Sequence, residues 1–356
     1  MSWFRRRALD CVEQGSRVAG PIAVLGSGAW GTALAAHCRR SGSEVRQWVR
    51  ETPVAAEILA GENRTFLPGV PLPSGIDASG DLADVVAGAE IVLAVVPSQF
   101  ARGVYRELAN ALAADIPLVA AAKGIEEDSL MLPTEVIRDE LGGSRRVAVI
   151  SGPSFAADVA QGKPTALVAA AADSSLAGVL QTRLASMELR VYTNADPVGV
   201  QLGGALKNVV ALAAGILDGL GAGPNGRAAL ITRGLAEITR LGCRLGGNPA
   251  TFAGLAGLGD LVLTCTGEQS RNFTVGRRLG RGESLERILD KSATVAEGVR
   301  TARSAQRLAQ RESVPMPIVE EVHRVLYRGG DPRAAIQRLM GRPLTSEDES
   351  HGLLQR

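Results

Sequence analysis

A glycine fingerprint between a short apolar strand and a helix, further apolar strands spaced along the first half, and the loss of strand-like alternation after residue 195 predict the fold class. That class is an α/β N-terminal doubly wound (Rossmann-type) domain followed by an all-α C-terminal domain. At 356 residues the chain is long for one core, so two domains are the natural division. The expected boundaries are a disordered extension at 1–20, the α/β domain at 21–195, the helical domain at 196–344 and a frayed polar tail at 345–356. Arg5, Arg6 and Arg7 in the extension precede no apolar region, so it does not read as a secretory signal. Apolar residues make up 46% of the chain, which suits a packed protein. A net charge of +2 with both signs scattered gives no electrostatic case for nucleic acid or membrane partners. Cys11, Cys38, Cys243 and Cys265 show neither metal spacing nor a disulfide framework, so the expected location is a reducing cytoplasm. No uninterrupted apolar run approaches the roughly 18 residues that span a bilayer, so no membrane span is expected.

The stretch 21–51, PIAVLGSGAWGTALAAHCRRSGSEVRQWVRE, reads strand, glycine turn, helix, strand. Ile22 to Leu25 form the strand, and Gly26, Gly28 and Gly31 fill the G-x-G-x-x-G pattern before a helix running to about Arg40. Gly26 permits the turn, Gly28 lets a pyrophosphate approach the backbone, and Gly31 lets helix and strand close up. The helix N-terminus then presents its partial positive charge to the phosphates. This half therefore reads as dinucleotide-binding. The second strand, Glu44 to Val49, ends at Arg50, where an acid would bond the ribose 2′-hydroxyl of NAD and an arginine accommodates the 2′-phosphate of NADP. Glu51 follows at once and can partly restore NAD binding, so the expectation is NADP in preference to NAD.

Apolar strands then recur at Ile91–Val96, Leu118–Ala122, Val147–Ile150, Ala166–Ala170 and Leu189–Tyr192. In a doubly wound sheet, ligands bind beyond the carboxyl ends of the strands. Pro97-Ser98, Lys123 and the Ser151-Gly152-Pro153-Ser154 turn fall there.

Residues 196–220, DPVGVQLGGALKNVVALAAGILDGL, carry apolar residues at three- and four-residue spacing and predict a long helix, with Asp196 as cap and Pro197 in the first turn. One face holds Gly203, Gly204, Lys207, Asn208 and Ala211. Each interior glycine costs about 1 kcal/mol relative to alanine, so the pair implies close approach of a ligand or another backbone. A lysine on that bare face would be partly desolvated and able to trade protons. Further on, GLAGLGDLVLTCTG (254–267) places Gly257 and Gly259 before Asp260, with Thr264 one helical turn later. Ser270, Arg271 and Asn272 open the next helix, a good receptor for phosphate, although Ser270 reads equally well as an N-cap alone. Only His37, His323 and His351 are present, and none lies near a motif, so proton transfer falls to lysine.

Taken together, GSGAWGTALA (26–35), VVPSQ (95–99), AAKGIE (121–126), SGPSFA (151–156), LKNVVALAAGI (206–216), GLGDLVLTCTG (257–267), SRN (270–272) and VAEG (295–298) resemble the NAD(P)-dependent glycerol-3-phosphate dehydrogenases of bacterial type. The resemblance covers nearly all of the chain after residue 20. It implies reduction of dihydroxyacetone phosphate to sn-glycerol 3-phosphate for phospholipid synthesis, by a cytoplasmic enzyme for which a homodimer is a compatible assembly. It implies Lys207 as proton donor and acceptor. Lys123, Gly152, Ser154, Asp260, Ser270, Arg271 and Asn272 are the implied substrate contacts, with Asn208 beside them. Lys123, Asp260 and Thr264 complete the implied catalytic group. The implied cofactor contacts are Trp30, Arg50, Lys123, Ala156, Arg271, Val295 and Glu297, added to Gly26, Gly28 and Gly31. Ala29 stands where the family usually has serine, which removes a hydroxyl near the pyrophosphate but leaves the backbone N–H.

In that mechanism a nicotinamide hydride goes to the ketone carbon while Lys207 stabilises and protonates the oxygen. Asp260 orients Lys207 or a substrate hydroxyl, and Arg271 with Asn272 holds the phosphate. Two alternatives share the layout. A 6-phosphogluconate- or ketopantoate-type reductase would lack the set Lys207, Asp260, Ser270, Arg271 and Asn272, and a non-catalytic NADP sensor would need neither Lys207 nor Asp260.

Overall fold

The computed structural model describes residues 20–290 and 296–347. The expected extension at 1–20 and tail at 345–356 therefore lie almost wholly outside the described residues, as does Val295. The first half is built on one eight-stranded sheet. Its strands are β1 (Ile22–Leu25), β2 (Val45–Trp48), β3 (Ile76–Ser79), β4 (Ile91–Ala94), β5 (Leu118–Ala120), β6 (Val147–Ser151), β7 (Thr165–Ala170) and β8 (Leu189–Asn194). Their order is β3-β2-β1-β4-β5-β6-β7-β8. β1, β4 and β6 are buried at every position, because helices cover both faces of the sheet. Alternate residues of β1 and β4 accordingly enter two different cores, Ile22, Val24, Ile91 and Leu93 on one face and Ala23, Leu25, Val92 and Ala94 on the other.

Two features differ from the reading of the sequence. β3, Ile-Asp-Ala-Ser, was not predicted; it is an edge strand with only alternate residues buried, so it lacks an apolar run. β7 runs antiparallel to β6, with β8 parallel to β7. The last two strands thus reverse the sense of the sheet, a pairing that no local pattern encodes.

The second half packs around one helix, Pro197–Gly219, which is buried from Gly199 to Ile216. Its start follows the expected chemistry. Asp196 accepts the Gly199 N–H on one carboxylate oxygen and the Asn248 N–H on the other, each at 2.8 Å, with Pro197 in the first turn. Gln201 on this helix bonds Thr134 through both ends of its amide, at 2.9 and 3.0 Å, tying the helical half to the sheet half. Pro197–Gly219 and the stretch Pro249–Thr266 pass for membrane-crossing by length and average composition alone, although polar residues interrupt both. The first is 94% buried inside the protein, where a central core helix is apolar all round.

This helix crosses Arg271–Gly280 with the two backbones in close contact. A Cβ on Gly215 or Gly219 would overlap the carbonyls of Phe273 and Arg277, and one on Gly276 or Gly280 would overlap those of Leu212 and Ile216. Glycine on both helices, four residues apart, lets the backbones touch. Gly276→Ala should lower stability by about 1–3 kcal/mol through overpacking. Gly178→Ala, in the helix Ser174–Leu184 with nothing near its added Cβ, should raise it by about 0.5–1 kcal/mol. Denaturant melts of the two variants check this, and a Gly276 variant as stable as wild type refutes the close crossing.

Candidate active site

The turn after β1 has the geometry of an anion cradle. Gly26 has φ +121°, a conformation that side chains other than glycine rarely adopt. A Cβ on Gly31 would overlap the Gly26 carbonyl, so helix Ala29–Arg40 seats directly on the strand end. The N-cap, Gly28, supplies no side-chain cap, and an added Cβ there would meet nothing within 4 Å. The first-turn N–H groups, those of Ala29 and Trp30 included, are thus left to an external acceptor. Trp30 is half-buried, and its Nε1 is buried with no partner among the described residues. These observations fit a dinucleotide pyrophosphate. At the end of β2, Arg50 is 71% exposed and donates to Glu51 Oε1 at 2.7 and 3.1 Å. The other oxygen of Glu51 accepts from Ser27 Oγ at 3.4 Å, so both candidate ribose-reading side chains sit beside the turn. Ala156 opens a short helix, Ala156–Ala160, and packs with Ala29 and Trp30 onto the same core.

Across the carboxyl edge of the sheet lies a buried ionic centre. Asp260, 0% exposed, begins the helix Asp260–Thr266 directly after a π-helical turn, Leu255–Gly259. Its Oδ1 accepts from Lys207 Nζ, and its Oδ2 accepts from Lys123 Nζ at 2.7 Å. Lys207 also donates to Thr264 Oγ1 at 2.8 Å, and Lys123 to the Gly152 carbonyl at 2.9 Å. Gly152, at φ +138°, turns the chain out of β6, and Ser154 Oγ donates to the same carbonyl at 3.0 Å. Each ammonium therefore has two of its three protons engaged and one left for a ligand. The Lys207 pKa is lowered to about 8: burial pulls it down most, Asp260 opposes that, and the neighbouring Lys123 charge adds to the lowering.

The paired glycines of the lysine helix have their reason here. A Cβ on Gly203 would stand 2.6 Å from the Ala256 carbonyl, in the segment leading to Asp260, and one on Gly204 would stand 2.6 Å from Ser151 Oγ. Of the two alternatives the sequence left open, another part of the chain fills both positions.

A chain of amides extends from this centre. Asn208 Nδ2 donates to the Lys123 carbonyl at 3.1 Å, Asn272 Nδ2 donates to Asn208 Oδ1 at 3.0 Å, and Gly298 N–H donates to Asn272 Oδ1 at 3.0 Å. Asn272 is thus buried with one amide hydrogen uncommitted. Ser270 is the N-cap of Arg271–Gly280, accepting the Phe273 N–H at 3.2 Å, so its oxygen has a structural task. Arg271 is exposed on the first turn. Glu297 begins the helix Glu297–Arg311; burial pushes its carboxyl up, opposed by the Arg271 guanidinium and by the amides of Ser98 and Lys123. With Pro97, Ser98, Gly124, Arg300 and Thr301 it lines a shallow cleft. The structure thus joins Lys123, Gly152, Ser154, Lys207, Asn208, Asp260, Thr264 and Asn272 in one network, with Arg271 and Glu297 coupled beside it.

Sequence reasoning put Ser98 and Ser151 beyond strand ends but gave no role to their hydroxyls, which are buried with no partner among the described residues. Ser151 ends β6 and Ser98 opens the helix Ser98–Leu108, and they face Gly204 and Gly124 respectively. Those glycines were the available signal, but only the fold pairs them with the serines.

Comparison with known proteins places these features together. A family model for the NAD-dependent glycerol-3-phosphate dehydrogenase N-terminus matches residues 21–177, and one for the C-terminus of the same family matches 196–337. The chain is 51% identical to a glycerol-3-phosphate dehydrogenase [NAD(P)+] of Geobacter metallireducens, over 92% of this chain and 98% of that one. It is 50% identical to the protein of that name from Koribacter versatilis, with the same coverage. The crystal structure of a glycerol-3-phosphate dehydrogenase from Coxiella burnetii superimposes with a TM-score of 0.87 at 42% identity, over 91% of this chain and 99% of that one.

Proposed function

The chain belongs to the NAD(P)-dependent glycerol-3-phosphate dehydrogenases, which reduce dihydroxyacetone phosphate to sn-glycerol 3-phosphate, and on that premise we propose how its residues carry the reaction. The observation that carries the proposal is the buried Lys207–Asp260–Lys123 centre at the junction of sheet and helices. Gly26, Gly28, Ala29, Trp30 and Gly31 hold the cofactor's pyrophosphate, Arg50 its adenosine ribose end, and Ala156, Arg271 and Glu297 line the remainder of its path. When bound, the reduced nicotinamide supplies a hydride for the ketone carbon. Lys207, as ammonium, turns its uncommitted N–H to the ketone oxygen, stabilises the charge that develops there and delivers the proton. Asp260 holds Lys207 in line and keeps it charged. Lys123 directs its remaining N–H to the substrate. Arg271, with the spare hydrogen of Asn272, clamps the phosphate and so positions the carbonyl. Ser270 fixes the start of that helix. The product feeds glycerophospholipid synthesis in the cytoplasm.

Lys207→Met removes both proton and charge at similar side-chain length. It should cost at least about 10²–10⁴-fold in kcat, with NADPH affinity little changed and the melting temperature lowered, because buried Asp260 then keeps only Lys123 as a charged partner. A folded variant that binds NADPH and turns over normally excludes Lys207 from the chemistry. The pH dependence carries a sign. With its pKa lowered to about 8, Lys207 is the required ammonium below that pH, so kcat/KM for ketone reduction should fall as pH rises through about 8. The reverse oxidation needs the free amine, so its kcat/KM should fall as pH drops through the same region. Profiles in the two directions with limbs of the same sense would contradict this.

Arg50 is proposed to read the 2′-phosphate, making NADPH the better cofactor. Arg50→Asp should reverse the ratio of kcat/KM for NADPH over NADH, measured in parallel; an unchanged ratio removes Arg50 from cofactor choice.

Arg271→Ala should raise KM for dihydroxyacetone phosphate sharply, with some loss of nucleotide affinity because Arg271 also adjoins Glu297. Unphosphorylated dihydroxyacetone should be a very poor substrate of the wild type. Equal kcat/KM for the two compounds would defeat the phosphate clamp.

A further inference from the structure

Two buried amides that take no part in the reaction hold the turn after β1. Gln47, wholly buried on β2, donates from Nε2 to the Gly26 carbonyl at 2.9 Å. Asn63, also wholly buried, lies in the segment between β2 and β3 and donates from Nδ2 to the Ser27 carbonyl at 2.9 Å and to Thr32 Oγ1 at 2.8 Å. Thr32 Oγ1 in turn donates to the same Ser27 carbonyl at 3.1 Å. The Asn63 Oδ1 accepts the Phe66 N–H at 2.9 Å, which fixes which end of the amide faces the turn.

A trans peptide points its C=O and its N–H in opposite directions. With the Gly26 and Ser27 carbonyls drawn onto interior amides, the N–H groups of Ser27 and Gly28 are turned away from them. Gly28 also has open space where a Cβ would stand. Gln47 adds an independent indication. Its Oε1 is buried without a partner, a cost that an apolar residue at this strand position would not incur. The donor at Nε2 is what the position gains in return.

We propose that Asn63 and Gln47 are positioning residues for the dinucleotide pyrophosphate. They fix two successive peptide planes so that the turn's N–H donors are set before the anion arrives, which spares the ordering cost at binding. The proposal rests on the reading that this turn holds the cofactor phosphates. Unlike Arg50, the two amides act on a part that NADPH and NADH share, so they should not discriminate between the two.

The test is calorimetric titration of NADPH and of NADH into wild type, Asn63→Ala and Gln47→Leu, each well below its own melting temperature, alongside kcat and KM for dihydroxyacetone phosphate at saturating NADPH. The proposal expects the Kd of both cofactors to rise about tenfold in each variant, with the NADPH-to-NADH ratio, the saturated kcat and the ketone KM unchanged. Wild-type Kd values in both variants overturn it, as does a change confined to NADPH. Loss of kcat in step with loss of folded protein, or failure of both variants to fold under saturating NADPH, assigns the amides to the fold alone and also overturns it. A wild-type chain that binds neither cofactor overturns the assignment of the turn and the proposal together, whereas wild-type binding with unaltered variants overturns the proposal only.

Discussion

Asp260 is a carboxylate with no contact with solvent, and two ammonium groups from separate parts of the chain depend on it. Lys123 arrives from the loop after β5, Lys207 from the middle of the core helix, and Asp260 from the end of a π-helical turn. Burying three charges is costly unless each is paired and hydrogen-bonded. Here the carboxylate engages both oxygens, and each ammonium adds a second acceptor, Thr264 Oγ1 or the Gly152 carbonyl. The centre fixes its own geometry because no member can leave without stranding the others. Sheet edge and helical half are thereby held at one relative position, which hydride transfer to a ketone between them requires.

Backbone contact does for the phosphate side what charge does for the centre. The Gly215/Gly219 and Gly276/Gly280 crossing brings Arg271–Gly280 against the lysine helix without intervening side chains. Two consequences follow along the chain. Asn272 reaches Asn208, the residue next to Lys207, and Arg271 emerges on the exposed first turn within the field of Glu297. A bulkier crossing would move the guanidinium away from the two ammonium groups.

Much of this was legible in the sequence because it is written locally. The glycine turn, the Asp196–Pro197 helix start and the lysine on a bare helical face each depend on neighbours within a few residues. The pairing of Lys207 with Asp260 was readable only as a role implied by resemblance, since 53 residues separate them. What escaped reading was set by long-range packing. β3 carries too few apolar residues to declare itself, the reversal at β7 leaves no local mark, and the orphaned hydroxyls of Ser98 and Ser151 acquire meaning only opposite Gly124 and Gly204. Asn63 and Gln47 look like ordinary surface residues in sequence, yet both are wholly buried.

The same burial bears on why the proposed acid is a lysine rather than a histidine. The described histidines are engaged in other places, His37 with the Leu184 carbonyl and His323 beside Tyr327. An ordinary lysine, with a pKa of about 10.4, is too weak an acid to serve well near neutrality. Desolvation lowers Lys207 first and the Lys123 charge lowers it further, which sharpens it as an acid. Asp260 opposes them and leaves the group near 8, still ammonium at neutral pH and ready to release its proton when the oxygen turns negative. One carboxylate thus sets both the position of the acid and its strength.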